Sequence, residues 1–137
     1  MLALLIMATN NVLGLDIGES KTGVARVNMI ARIPQPVATL KNDNNFISEI
    51  TKIIKAENID ALVIGLPRNM SGAETAQTKY VRDYAGNRLS SLNLPIIFQD
   101  ETLSSKAAEE RLVRGYKKTD IDAMAAVIIL EDYLEEL

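Results

Sequence analysis

The stretch VLGLDIGESKTGVARV, residues 12–27, decides the fold. Two runs of β-forming residues, VLGLDI and TGVARV, flank the turn formers Gly18, Glu19 and Ser20. Short apolar runs separated by such a turn predict an antiparallel hairpin. The first run also contains Asp16, a carboxylate that would be costly to bury without a partner. The hairpin is therefore both the first structural unit and the first place to look for chemistry.

The rest of the chain alternates apolar runs with amphipathic segments. The predicted elements are a strand near residues 37–40, a helix over 45–57, a strand over 61–66, a helix beginning at a Ser71–Glu74 capping box and running towards 92, a strand over 95–98, and helices over 104–114 and 119–137. The order βββαβαβαα indicates an α/β fold with a mixed five-stranded sheet and helices on both faces, the RNase H-like architecture. We expect one domain over residues 1–137, with residues 1–10 as an N-terminal extension and either Met1 or Met7 as the start.

Composition limits the chemistry that is available. The 137 residues include no cysteine and no histidine, which excludes thiol nucleophiles, thiolate metal sites and imidazole bases. The apolar start MLALLIMA is too short to span a bilayer, so we expect a cytoplasmic protein with no membrane partner. A net charge of -3 disfavours a general nucleic-acid binder. Basic residues cluster before Asp122 and acidic residues gather at the C-terminus, which is also typical of solvated helix ends.

Three carboxylates are the candidate catalytic and metal-binding residues. Asp16 lies in the first strand, although it could simply accept hydrogen bonds from the following turn. Glu101 follows the strand PIIFQ at a strand end, where ligands gather in α/β sheets, but either it or Asp100 could project there, and both could serve the next helix N-terminus. Asp122 begins a helix on the stripe that its Ala and Ile residues continue, or it completes a capping signature with Thr119.

Basic and polar residues around these acids are candidate substrate contacts. Lys21 lies in the hairpin turn and could either pair with a carboxylate or meet a phosphate. The loop RNMSG, residues 68–72, leads into a predicted capped helix, where backbone N–H groups favour phosphate, or it is a plain helix-starting turn. The predicted substrate-binding residues are Lys21, Arg68, Asn69, Ser71, Lys117 and Lys118.

Four blocks of the sequence, LGLDIGESKTGVA, VIGLPRNMSG, the DET step and IDAMAAVIILEDYL, together resemble the YqgF/RuvX family. The resemblance implies a bacterial nuclease that processes the 5′ end of pre-16S rRNA, and a Holliday-junction resolvase role has also been proposed for the family. It places the family's carboxylates at Asp16, Glu101 and Asp122. The chain departs from the family pattern at Thr102, where Arg is common, and at Arg68 and Ser71, where an apolar residue and often Asp occur.

The resulting hypothesis is a hydrolase that cuts phosphodiester bonds by the two-metal-ion route. Magnesium suits hard oxygen ligands, and manganese should substitute for it. We expect nucleic acid as the partner, either structured RNA or branched DNA, and either a monomer or a homodimer. The motif DIGESKTG also resembles the phosphate-binding turn of actin-like kinases, but those enzymes need two domains. A resolvase, or a non-catalytic module that binds nucleic acid or the ribosome, remains as an alternative.

Overall fold

The computed structural model describes residues 9–101 and 121–137. Its elements are β1 (Asn11–Ile17), β2 (Lys21–Asn28), β3 (Gln35–Lys41), α1 (Phe46–Ala56), β4 (Ala61–Pro67), α2 (Ala76–Tyr84), β5 (Ile96–Glu101) and α3 (Ile121–Glu135), with a π-helical turn (Ala85–Leu89) and a 3-10 turn (Ser90–Leu92) after α2. The predicted helix over 104–114, Thr102, Thr119, Lys117 and Lys118 lie outside the described residues. No helix in the described ranges is both long enough and apolar enough to cross a membrane.

The five strands form one mixed sheet in the order β3-β2-β1-β4-β5. β1 pairs antiparallel with β2 and parallel with β4, and β5 extends the parallel half. The predicted hairpin is confirmed, and Gly18 explains its turn: its N–H donates to the Lys21 carbonyl at 2.8 Å, and a Cβ there would lie 2.9 Å from that oxygen. The carboxyl ends of β1, β4 and β5 therefore lie along the same edge of the sheet.

Alternation along the strands divides the core between two faces of the sheet. On one face, Leu13 and Leu15 of β1 pack with the helices α1 and α2. On the other face, Val12 of β1 and Val27 of β2 pack against α3. The unbroken apolar run of β4 supplies both faces, because its odd and even residues point to opposite sides. Among the described elements, α3 alone covers the second face.

The structure corrects the predicted start of α2. The helix begins at Ala76, not at Ser71, and its N-cap is Thr75, which forms a capping box with Thr78. The Ser71–Glu74 signature does not act as a cap, because Asn69 Oδ1 accepts the N–H of Ser71 at 3.1 Å and stabilises a separate turn. The strand β5 is also longer than predicted, so that Glu101 lies within the sheet opposite Pro67.

Helix α3 lies close against the sheet because glycines face it. A Cβ at Gly14 would lie 2.5 Å from Leu130 Cγ, and one at Gly65 would lie 2.3 Å from Ile129 Cδ1. At Gly23 a Cβ would lie only 1.7 Å from the backbone oxygen of Asp122. Every residue of α3 from Ala123 to Leu130 is buried, whereas the sequence pattern predicted burial along a single stripe.

Candidate active site

Asp16 and Asp122 lie together on the face of the sheet that α3 covers. Asp16 in β1 pairs directly with Gly23 in β2, and the absent side chain of Gly23 admits the backbone of Asp122 at the start of α3. The pKa of Asp16 is raised first by its removal from water and then by the negative charge of Asp122. The structure thus brings together two of the three predicted carboxylates, one from the first strand and one from the last helix.

Glu101 approaches the same face from the other side of β4. Its Cγ is 3.6 Å from the position that a Cβ on Gly65 would occupy, and β4 lies between β5 and β1. Its side chain is buried, with 7% exposure, and the charge of Asp16 acts on it. Asp100, the alternative to Glu101, is instead exposed and pairs with Arg68 at 2.9 Å. Of the two neighbouring acids, Glu101 is the one that shares a face with Asp16.

Burial dominates the electrostatics of both strand acids. It raises the pKa of Asp16 to about 6, and the Asp122 carboxylate adds to the rise. The pKa of Glu101 is raised to about 9, with burial as the largest cause. The smaller causes, in decreasing order, are a hydrogen bond to Asp132, the charge of Asp132, and the charges of Glu136 and Asp16. A hydrogen bond between two carboxyl groups requires a proton on one of them. Without a cation this face therefore favours protonated acids.

These observations bear on whether the residues fit a divalent cation. Glu101 Oε1 is buried and has no hydrogen-bond partner among the described residues, and carboxylate oxygens are hard ligands of the kind that Mg²⁺ takes. Within residues 9–101 and 121–137, however, no three carboxylates lie close enough to hold one ion together. The acids form a row in which Asp16 neighbours Asp122 and Glu101 neighbours Asp132. The carboxylate oxygens are suitable ligands for a divalent metal ion, but the side chains would need to move closer together to hold one.

Asp132 was missed by the sequence reasoning, which interpreted the acids near the C-terminus as solvated charge. Its contact with Glu101 depends on how α3 crosses the sheet, and the residue carries no motif of its own. The one available signal was that Asp132 lies three residues after Ile129, a core residue that packs on Gly65. Residues three apart share a helix face, so that an acid there points towards the sheet.

The predicted substrate-binding loop is held by its own polar groups. Asn69 Oδ1 accepts from the N–H groups of Ser71 and Ala73, and from the Ser71 hydroxyl at 2.7 Å. Arg68 donates to Asp100 and to the Gly72 carbonyl. These contacts leave fewer free N–H groups for a phosphate than a helix N-terminus would offer. The residues lie beyond the carboxyl end of β4, on the same edge as Asp16 and Glu101.

Lys21, the remaining described basic residue of the prediction, is exposed at the first position of β2. It makes no ion pair with any acid in the described ranges. A cleft of about 500 Å³ lies beside it.

Comparison with known proteins places this arrangement in a family. The family model RuvX, described as Holliday junction resolvase, matches residues 10–136. A protein of Orientia tsutsugamushi named as a candidate pre-16S rRNA nuclease is 42% identical over 132 residues, which cover 92% of this chain and 84% of that protein. A protein of the same name from Caldanaerobacter subterraneus is 35% identical over 133 residues, with 90% and 95% covered.

Two solved structures resemble the fold. RuvC of Thermus thermophilus in complex with a Holliday junction substrate has a TM-score of 0.57 at 14% identity, with 92% of this chain and 96% of that chain covered. The fowlpox virus resolvase with its Holliday junction DNA has a TM-score of 0.51 at 17% identity, with 92% and 97% covered. Both are RNase H-like, so the predicted fold class is confirmed. At this identity the likeness carries the fold alone.

Proposed function

Since the chain belongs to the RuvX family, it is a nuclease by class, and we propose that it hydrolyses phosphodiester bonds at the 5′ end of pre-16S rRNA in the cytoplasm. The observation that carries this proposal is the row of acids formed by half-buried Asp16 at the carboxyl end of β1 and buried Glu101 at the carboxyl end of β5, completed by half-buried Asp122 of α3. Burying such acids side by side raises the pKa of Asp16 and of Glu101 and costs stability. A cationic ligand would offset that cost.

Nucleases and resolvases with this fold generally use divalent metal ions. We propose that Asp16, Glu101 and Asp122 hold Mg²⁺, for which Mn²⁺ would substitute. When bound there, such an ion would supply an activated water molecule and stabilisation of the charge on the departing oxygen. The unpartnered Oε1 of Glu101 supports this assignment. The chain has no histidine, so proton transfer would fall to carboxyls, lysines, hydroxyls or water.

The protein sets the positions of these acids and shields Glu101 from water. β1 and β5 hold Asp16 and Glu101 on strands of one sheet, which is more rigid than a loop. α3 excludes water from the sheet face and brings Asp122 over Gly23. We propose that Lys21, Arg68, Asn69 and Ser71 bind the substrate at this edge, and that Lys117 and Lys118, which lie outside the described residues, also bind it. Arg68 would exchange its pair with Asp100 for a phosphate, which costs little because ion pairs at a protein surface contribute little to stability.

Pre-16S rRNA is preferred as the substrate because the relatives reported above carry that activity in their names. The family description favours resolution of Holliday junctions as a second candidate. The acids do not discriminate between the two, because the phosphodiester is the same. A resolvase would need a dimer that presents two such edges to one junction.

The decisive experiment compares Asp16→Asn with the wild type on precursor 16S rRNA and on a four-way DNA junction, each with Mg²⁺ and with chelator. We expect Mg²⁺-dependent cleavage of the RNA by the wild type and none by Asp16→Asn. Asp83→Asn is the matched control, because Asp83 is exposed on α2 and pairs with Lys79 at 2.7 Å. Equal cleavage by Asp16→Asn would defeat the proposal, and cutting of the junction alone would favour the resolvase.

A further inference from the structure

Two lysines stand directly opposite each other in the β2–β3 pair. Lys21 and Lys41 are register partners at the ends of their strands, and both are exposed. Neither forms an ion pair or a side-chain hydrogen bond with any residue in 9–101 or 121–137. Like charges directly opposite each other on neighbouring strands destabilise a sheet. This pair therefore carries a cost that nothing in the described protein offsets.

Both side chains project from the face that carries the acids. Along β2, Gly23 and Val27 face α3, and Lys21 has the same parity as these residues. The register pairs Gly23 with Thr39 and Lys21 with Lys41 before the irregularity at Val24/Ala25, so Lys41 points the same way. Two strand spacings separate β3 from β1, which puts Lys41 roughly 10 Å across the sheet from the strand of Asp16.

The lysines border a cleft with a fixed floor. The cleft of about 500 Å³ is lined by Glu19, Ser20, Lys21, Lys41, Asn42 and Asp43. Asn42 follows β3 and is hydrogen-bonded to the β1–β2 turn and to the start of β2. Its Oδ1 accepts from Thr22 Oγ1 at 2.7 Å, its Nδ2 donates to the Gly18 carbonyl at 2.7 Å, and its N–H donates to the Ser20 carbonyl at 2.9 Å. The spacing of the lysines is thus set by the fold.

We propose that Lys21 and Lys41 together bind a backbone phosphate of the RNA on the β3 side of the acids, an inference that rests on the proposed function. An anion between the two ammonium groups turns their repulsion into attraction. Glu19 and Asp43 line the same cleft and limit the contact to one phosphate of the RNA strand, because a second phosphate in the cleft would be repelled by their charges. Asp43 stabilises its own turn, where its Oδ1 accepts a hydrogen bond from the N–H of Asn45. Glu19 is exposed at the cleft. Lys41 is a substrate-positioning residue, and the pair extends the substrate path across β2 and β3.

The test measures binding of a fluorescent single-stranded RNA to full-length protein in the Asp16→Asn background, over a range of salt. We expect Lys41→Gln to weaken binding and to reduce the slope of log K against log salt by about 0.7, the value for one phosphate contact. Its melting temperature should be unchanged or higher, because the repulsion is removed. Lys52→Gln is the matched control, because Lys52 lies on α1, against the opposite face, and pairs with Glu49 at 3.2 Å.

Two further measurements test the proposed phosphate site. Glu19→Gln should strengthen RNA binding, because it removes the opposing charge. With Asp16 intact, Lys41→Gln should raise KM for the precursor RNA and leave kcat unchanged. If Lys41→Gln matches Lys52→Gln in affinity and slope, or if it weakens binding only by destabilising the fold, the phosphate site is refuted. Cleavage of the RNA by the unmodified protein would still stand in that case, so failure of this inference is distinguishable from failure of the proposed function.

Discussion

Replacing Gly23 with alanine should separate Asp122 from Asp16. A Cβ on Gly23 would lie 1.7 Å from the oxygen of Asp122, 2.2 Å from its carbonyl carbon and 3.0 Å from the nitrogen of Ala123. All three contacts are backbone atoms, which cannot rotate away as the end of a side chain can. The first turn of α3 must therefore move, or β2 must bend.

The size of that movement follows from the contact distance. Real Cβ atoms essentially never approach another heavy atom closer than 3.0 Å, so the Asp122 oxygen must retreat by about 1.3 Å. A displacement of about 1 Å in a catalytic group costs roughly 100-fold in rate. Overpacking of this kind also costs about 1–3 kcal/mol of folding free energy. The loss of activity should thus exceed what the loss of stability explains.

The assay combines thermal denaturation with single-turnover cleavage of precursor RNA, well below the melting temperature of every variant. Gly14→Ala is the matched control, because its Cβ would meet the side chain of Leu130 at 2.5 Å, in the core and away from Asp122. We expect Gly14→Ala to lose stability and keep its rate, and Gly23→Ala to lose about 100-fold in rate while folded. A folded Gly23→Ala enzyme that cleaves at the wild-type rate would refute the reasoning.

Two further predictions concern stability. The pKa of Asp16 is raised from 3.8 to about 6 and that of Glu101 from 4.5 to about 9, so these groups stabilise the metal-free protein most below pH 4 and lose that contribution as pH rises through 6 and then 9. Melting temperatures measured in chelator should fall over this range, and Asp16→Asn should flatten the part near pH 6; a flat wild-type profile would contradict it. Thr78 is fully buried, donates to the Pro67 carbonyl and accepts from the Thr75 N–H, so Thr78→Ala should cost about 1–3 kcal/mol in denaturant unfolding. Thr51→Ala, which removes only a bond to the preceding turn of α1, should cost less than half as much, and equal losses would count against the capping argument.

The strands could be predicted from the sequence because their signals are local. VLGLDI and TGVARV around a Gly turn specify a hairpin whatever packs on it, and the apolar run of β4 specifies a strand buried on both faces. The start of α2 could not be predicted, since residues 71–78 contain two consecutive candidate caps, Ser71 and Thr75. Asn69 decides between them by holding Ser71 in its own turn, and the ion pair of Glu74 with Arg82 at 2.7 Å contributes too. That choice depends on contacts which sequence spacing does not encode.

The residues of the candidate site also differ in whether the sequence alone could predict them. Asp16 could be recognised because an acid inside an apolar strand is conspicuous, and the structure shows it beside Asp122. The roles of Gly23 and Asp132 could not, because each depends on the path of α3 across the sheet. The sequence IDAMAAVIILEDYL is apolar nearly all round the helix, so its pattern does not reveal which side meets the strands.

Helix α3 has a consequence for how the protein is made. Among the described elements, the helices that precede β5 cover one face of the sheet. The other face is covered by α3, residues 121–135, which is synthesised later. At a synthesis rate of about 5–20 residues per second, roughly 5–20 s pass between β2 and α3 leaving the ribosome. Asp122 arrives with that helix, so a growing chain holds Asp16 and Glu101 without their third acid. The newborn polypeptide should therefore be unable to cut RNA until its last helix has docked.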